Sequence, residues 1–468
     1  MGGLKSVSCI FTLYFLCCLT ACAQINSPLN IDQETLDSLG MEILNEGSIM
    51  GFSVAITSGK RVLYNNGFGH IDVKKTQAVT NKTRFDIASV SKLVGVTAIM
   101  TLIEEGRLSL DTSLEQLMPE FPEEALAEKI KLRHMLSHTS GLMDYALEMD
   151  RVFMENGVLP TKKELLAFFK GKDLRFEPGT NYQYCNSGFM LMAFIAENIT
   201  GRPWQQLIEE YINQRSNLDF QLIKYAVERP ETSPIFDYGK ERFDKVPSWS
   251  YVMGDGGLTT TTEMLALYPQ YWSKGKIIEP SAYEKMVKPT ELSNSLSTGY
   301  GYGVRNGEFL GERIIGHTGG WKTTYAIMAY FPDRNVTFAG LMNTDGTPLD
   351  MNQIFAKYMK VALGKEIPDY ASVFKEITNL YQYVGDYHGF DTEFDHQGKI
   401  VTVNLQDGQL QYCINANCEK LWPMGNNKFW LKSFPYDFIE FQTNDQGKAL
   451  TIREYYYGFF QVLRKRVR

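Results

Sequence analysis

Strand-forming runs stand at both ends of the region from Gly51 to Asn343, and helical periodicity fills the space between them. At the front, Phe52–Thr57 and Val62–Phe68 partly alternate and are joined by Ser58-Gly59-Lys60, which reads as a β-hairpin. At the back, Arg313–Ile315, Thr323–Tyr330 and Val336–Met342 read as a strand meander, with Pro332-Asp333-Arg334-Asn335 as a turn. In the middle, Leu93, Val96, Met100 and Ile103 recur at helical spacing from Val90 to Glu105, and Gly106 stands where that helix would stop. Further helical runs cover Lys131–Leu136, Lys162–Phe169 and Phe189–Asn198, the last stopped by Thr200-Gly201. Strands at the two ends bury their apolar faces only if the ends meet. The pattern therefore predicts an α+β unit, an antiparallel sheet with flanking helices and a helical insertion.

A chain of 468 residues exceeds one ordinary core, since single cores stop growing near ~250–300 residues. From about Tyr381 the sequence changes to short alternating segments separated by Gly, Asn and Asp: Val401–Leu405, Leu410–Tyr412, Lys428–Leu431 and Phe438–Phe441. These predict a small C-terminal all-β barrel or sandwich over 379–468, beyond a main domain over 30–365, with the boundary near Lys365-Glu366-Ile367-Pro368. The aromatic run Tyr455–Phe460 reads as packing material for that unit. Hydrophobic residues at 44% and charged ones at 22% are the balance of a folded globular protein. A net charge of -7 with scattered Lys and Arg argues against nucleic acid or anionic membrane as partner, and the basic end Arg464–Arg468 reads as a solvated terminus.

Residues 1–23 read as an export signal, with Lys5, an apolar stretch Val7–Leu19 and small residues after it. Ala21-Cys22-Ala23 fits ordinary cleavage, while Leu19-Thr20-Ala21-Cys22 fits a bacterial lipobox that would leave a lipid anchor on Cys22; both routes stay open. Either makes the protein exported, periplasmic or membrane-anchored. Cys9, Cys17, Cys18 and Cys22 fall inside the signal. Cys413 and Cys418 flank Ile-Asn-Ala-Asn and fit either a bridge or two thiols, and Cys185 reads as a buried small residue.

Three segments carry chemistry. A serine nucleophile needs a nearby proton acceptor and positive surroundings, and Ser89-Val90-Ser91-Lys92 at a helix start offers both, because positions i and i+3 share a face. Alone, such a tetrad is commoner as a helix cap with an exposed lysine. Tyr184-Cys185-Asn186 follows the turn-like Phe176-Glu177-Pro178-Gly179 and precedes a helix. A tyrosine beside an ammonium sheds its proton more easily; the bland alternative is a pocket wall with Asn186 or Ser187 as helix cap. His317-Thr318-Gly319-Gly320 ends the strand begun at Arg313, and its glycines permit a close approach in which the Gly320 and Ser89 amides form an oxyanion hole.

Together these segments resemble the serine β-lactamase and D,D-peptidase family in its class C branch. Supporting stretches are Phe85-Asp86-Ile87-Ala88, Leu132–Leu142 and Gly256-Gly257-Leu258-Thr259-Thr260. The resemblance implies acyl transfer on an amide or ester, a small molecule or peptide such as a D-amino-acid peptide or β-lactam. Ser89 would attack, Lys92 and Tyr184 relay the proton, and Asn186, His317, Thr318 and Gly319 bind substrate, with no metal or cofactor. The terminal unit is similar to the lipocalin-like barrels appended to some of these hydrolases.

The best-known β-lactamases begin the third motif with Lys, where this chain has His317. An unperturbed histidine titrates near ~6.5, so fixed positive charge is reduced and activity is expected to fall as His317 loses its proton. His134 and His138, four apart, lack the intervening Glu of zinc proteases and read as supports for the loop at Ser140-Gly141. A catalytically silent binding or sensor protein is the alternative, and its signature would be loss of Ser89, Lys92 or Tyr184; all are present.

Overall fold

The computed structural model describes residues 29–72, 74–156, 160–223, 236–237, 253–321, 324–345, 347–367, 379–392 and 395–467. The expected signal segment with Cys22, and Pro368, lie outside them. The two ends of the main region do meet. Strands β1 (Gly51–Ser58) and β2 (Arg61–Gly69) form the hairpin at one edge, and β3 (Arg305–Phe309), β4 (Glu312–Trp321), β5 (Thr324–Phe331) and β6 (Val336–Met342) form the meander. Antiparallel pairing of β1 with β6, Val54 opposite Gly340, closes the sheet in the order β3-β4-β5-β6-β1-β2.

Strand alternation divides β1 between two cores. Phe52, Val54 and Ile56 pack with helices α1 (Gln33–Gly47) and α4 (Met351–Leu363), while Ala55 joins the larger core on the opposite face. Ser53 and Thr57 on that second face are satisfied by Thr262 Oγ1 at 2.8 Å and the Ala266 carbonyl at 3.0 Å. The helical layer there includes α2 (Ser91–Glu104) and α3 (Ser187–Thr200). Every residue of α2 from Ser91 to Leu102 is buried, so it is a core helix without a wet face. The charge of Lys92 within that stretch must be paired inside.

The C-terminal strands β7 (Gly385–Gly389), β8 (Lys399–Gln406), β9 (Gln409–Ile414), β10 (Asn417–Gly425), β11 (Lys428–Leu431), β12 (Phe438–Thr443), β13 (Ala449–Tyr456) and β14 (Phe459–Arg466) pair each with the next. Pairing of β7 with β14 closes them into an antiparallel barrel around Tyr387, Val401, Ile439 and Ile452. Cys413 and Cys418 face each other across β9 and β10 as a disulfide.

The basic end is not a solvated terminus. Arg464 is 1% exposed and lies in the barrel between Glu454 and Asp391, because β14 is the closing strand and its inward charge requires acids to meet it. Lys465 donates to the Thr180 carbonyl at 3.0 Å, and Arg466 to the Ala449 carbonyl at 3.1 Å.

The barrel also grips the main domain. Gln183 Nε2 donates to the Thr392 carbonyl at 2.9 Å, Arg175 Nη1 to the Asp395 carbonyl at 2.7 Å, and the Tyr182 and Phe460 rings meet at 5.0 Å. At the junction of β3 and β14, a Cβ on Gly307 would lie 1.7 Å from the Gly458 carbonyl oxygen. Gly307→Val is expected to destabilise the protein by about 1–3 kcal/mol through overpacking, read as a lower melting temperature by calorimetry. An unchanged transition would mean that the junction yields at no cost.

Candidate active site

Ser89 sits on one tight turn, Ala88–Val90, that runs directly into α2. Ala88 adopts φ 42, a left-handed conformation that costs energy for an L residue, and its amide is tied to Asp86 Oδ1 at 2.8 Å. Burial pushes the Asp86 carboxyl up to about 6 against that hydrogen bond. The kink leaves Ser89 half-buried beside β4, with Lys92 one turn below it at 0% exposure.

An ammonium carries three N–H donors, and each finds an acceptor. Lys92 Nζ donates to Ser89 Oγ at 2.9 Å, to Asn186 Oδ1 at 2.7 Å and to the Asp255 carbonyl at 2.7 Å. This saturation lets a charge persist in an apolar helix. Asn186 stands just before α3 but makes no side-chain cap there, its amide being engaged by Lys92. The Ser187 hydroxyl does not cap either. It donates to the Met143 carbonyl at 2.7 Å and accepts from the Tyr145 amide at 3.0 Å. Tyr145 then donates to Asp255 Oδ2 at 2.9 Å, and burial pushes the carboxyls of Asp144 and Asp255 up to about 6 with Lys92 opposing.

Tyr184 is half-buried and closely surrounded. Lys92 Nζ and the Arg305 guanidinium each lie 5.0 Å from its ring centre, and the His138 ring packs at 4.1 Å. His138 accepts the Cys185 amide on Nδ1 at 2.9 Å, so the loop that carries it sets the backbone next to Tyr184. That role is more direct than supporting Ser140-Gly141.

His317 is buried on β4, 6.2 Å from the Tyr184 ring between centroids. A carbonyl accepts only, so the 2.5 Å contact of Nδ1 with the Thr318 carbonyl places the proton on Nδ1. Nε2 then accepts from the Tyr300 hydroxyl at 2.8 Å. Both nitrogens are satisfied in the neutral form, and burial, then the Arg305 and Lys92 charges, hold His317 well below its ordinary 6.5. This arrangement runs against the expectation that activity follows His317 deprotonation. A kcat/KM profile is expected to show no limb near 6.5 from this residue. A limb there that vanishes in His317→Gln would contradict the neutral assignment.

Gly319 explains how β4 reaches Ser89: a Cβ there would lie 2.6 Å from the Ile87 carbonyl oxygen and 2.9 Å from the Ser89 nitrogen. Thr318 is half-buried and Gly320 exposed on the same strand. The fold thus joins Ser89, Lys92 and Asn186 by hydrogen bonds, adds Tyr184 by ring contact, and brings Gly319 against Ser89. His138, Tyr300 and Arg305, with Asp144 and Asp255, complete the surroundings without having been singled out as site residues in the sequence.

The beta-lactamase family model matches residues 36–362. The chain belongs to that family, the β-lactamase-related serine hydrolases. It is 24% identical over 442 residues to penicillin-binding protein 4* of Bacillus subtilis, covering 88% of this chain and 95% of that one. It is also 24% identical over 388 residues to a D-aminopeptidase of Brucella anthropi, 81% of this chain and 70% of the relative. Among solved structures, the octameric penicillin-binding protein homologue from Pyrococcus abyssi superposes with a TM-score of 0.64 at 23% identity, over 93% of this chain and 100% of that one.

Proposed function

We propose that the chain is an exported hydrolase that cleaves an amide or ester, such as a D-amino-acid peptide, through an acyl-enzyme on Ser89. The observation that carries this is the Lys92 ammonium, fully buried and 2.9 Å from Ser89 Oγ. Ser89 attacks the carbonyl; Lys92 and Tyr184 move its proton to the leaving group; the Ser89 and Gly320 amides receive the oxyanion; Asn186, Thr318 and Gly319 line the substrate, neutral His317 holds the strand of Thr318 and Gly319, and water then attacks the ester to release the acid and restore the Ser89 hydroxyl. The relatives' names, penicillin-binding protein and D-aminopeptidase, support an acyl group or amine of D configuration. The closure of its antiparallel strands supports reading the C-terminal barrel as lipocalin-like. An export signal over 1–23, with cleavage or a lipid at Cys22, accords with an extracytoplasmic substrate.

The test is intact mass after exposure to a fluorophosphonate and, separately, a penicillin. A covalent increment absent from Ser89→Ala is expected, and labelling by the penicillin as well would point to D-Ala-D-Ala-like substrates. No increment from a folded protein with either probe would favour a silent binding protein.

A further inference from the structure

With His317 neutral, positive charge beside Tyr184 must come from elsewhere. Arg305 is a strand residue of β3, opposite Gly316 and hence one residue from His317 on the neighbouring strand. It is 6% exposed. Its guanidinium lies 5.0 Å from the Tyr184 ring centre and 5.8 Å from that of Tyr300, the residue that hydrogen-bonds His317. Its Nη1 donates at 2.6 Å to the carbonyl of Phe460, 155 residues away on barrel strand β14.

We propose that Arg305 is a positioning residue that holds the Tyr184 ring and supplies its second fixed positive charge, and that the barrel seats it through the Phe460 carbonyl. The inference rests on Tyr184 being the proton carrier proposed above. It gives the C-terminal barrel a part in the active site: the strand that closes the barrel also fixes the cation.

The groups facing Tyr184 come from several elements. Lys92 on α2 and Arg305 on β3 are cations, a guanidinium being charged throughout the accessible pH range. His138 and His317 are both held neutral by burial, which leaves their rings as packing surfaces. Tyr300, itself pushed well above its ordinary value by burial, adds a neutral phenol. The carboxyls of Asp144 and Asp255 interact by charge with Lys92. Lys92 already divides its donors among three acceptors. Arg305 is placed to favour the tyrosinate without taking part in proton transfer, because a guanidinium does not release a proton at accessible pH.

The test is NMR titration of the full-length protein labelled at tyrosine Cζ, with the Tyr184 signal assigned by its loss in Tyr184→Phe. Arg305→Gln keeps a donor for the Phe460 carbonyl and removes the charge; Tyr184 ionisation is expected to move up by about one pH unit or more. Arg305→Lys is expected to titrate close to the parent. Arg305→Met, also neutral, replaces the Gln variant should that one fail to melt cooperatively. No shift in the neutral variant, or an equal shift in the lysine variant, would overturn the proposal. The readout is ionisation and not turnover, so an unlabelled Ser89 would defeat the hydrolase assignment while the titration still decided Arg305.

Discussion

Ser89→Ala is expected to reduce kcat/KM on any cleavable amide or ester by about 10³-fold or more, because it removes the atom that forms the covalent intermediate. Residual activity over water is expected from the oxyanion amides, which the substitution leaves in place. Stability should change little. Ser89 is half-buried, so water can take over the Lys92 donor that Oγ satisfies at 2.9 Å. The strained Ala88 conformation and its link to Asp86 are backbone features that alanine at the next position does not touch. Steady-state kinetics with a D-amino-acid amide and an ester, beside a thermal melt, check both parts. An alanine variant with parental turnover would remove Ser89 from the chemistry.

The sheet was legible because its evidence is local. Val336–Met342 forms the strand expected of it, and the hairpin differs from expectation only at its ends. Strand β3 was not legible: Arg305-Asn306-Gly307-Glu308-Phe309 has no β-branched residue and no clean alternation. Its pairing is fixed by neighbours, β4 on one side and barrel residue Phe459 on the other. Arg305 therefore escaped notice as well. The Ser89, Tyr184 and His317 segments were found because each is a short motif, but the protonation of His317 was not readable from the motif. It depends on Tyr300, on burial and on the Arg305 charge, and all are tertiary. Arg464 fails for the same reason, since a charge run at a terminus looks solvated until its acids, Glu454 and Asp391, are brought opposite it by barrel closure. His138 lay in view within the Leu132–Leu142 stretch, yet its contact with Tyr184 needs a left-handed residue at φ 59, which sequence spacing does not reveal.

Lys92 separates two chemistries that the motif alone leaves merged. One is a fixed cation that steadies Tyr184 and the oxyanion; the other is a base that takes the Ser89 proton. Lys92→Met keeps the side-chain length and removes the charge. It is expected to cost about 10²–10⁴-fold in kcat under either role, the span usual for a positioned proton-transfer group. It should also lower stability, because the Asn186 Oδ1 and Asp255 carbonyl acceptors at 2.7 Å lose their donor while buried, at about 1–3 kcal/mol for each unpaired group. Lys92→Arg distinguishes the roles. A guanidinium keeps the charge and several donors but cannot release a proton at accessible pH. With Lys92 as base, the arginine variant falls as far as the methionine variant; with Lys92 as fixed charge, it recovers part of kcat and its pH profile keeps the parental shape. The site's geometry favours the second outcome. Nζ donates to Ser89 Oγ at 2.9 Å and to two buried acceptors at 2.7 Å, so it stands as a saturated ammonium with no lone pair for the Ser89 proton, and its charge lies 5.0 Å from the Tyr184 ring centre. Single-turnover acylation of the two variants, each shown to melt cooperatively, decides between them, and an arginine variant acylated at the parental rate would exclude Lys92 as the base.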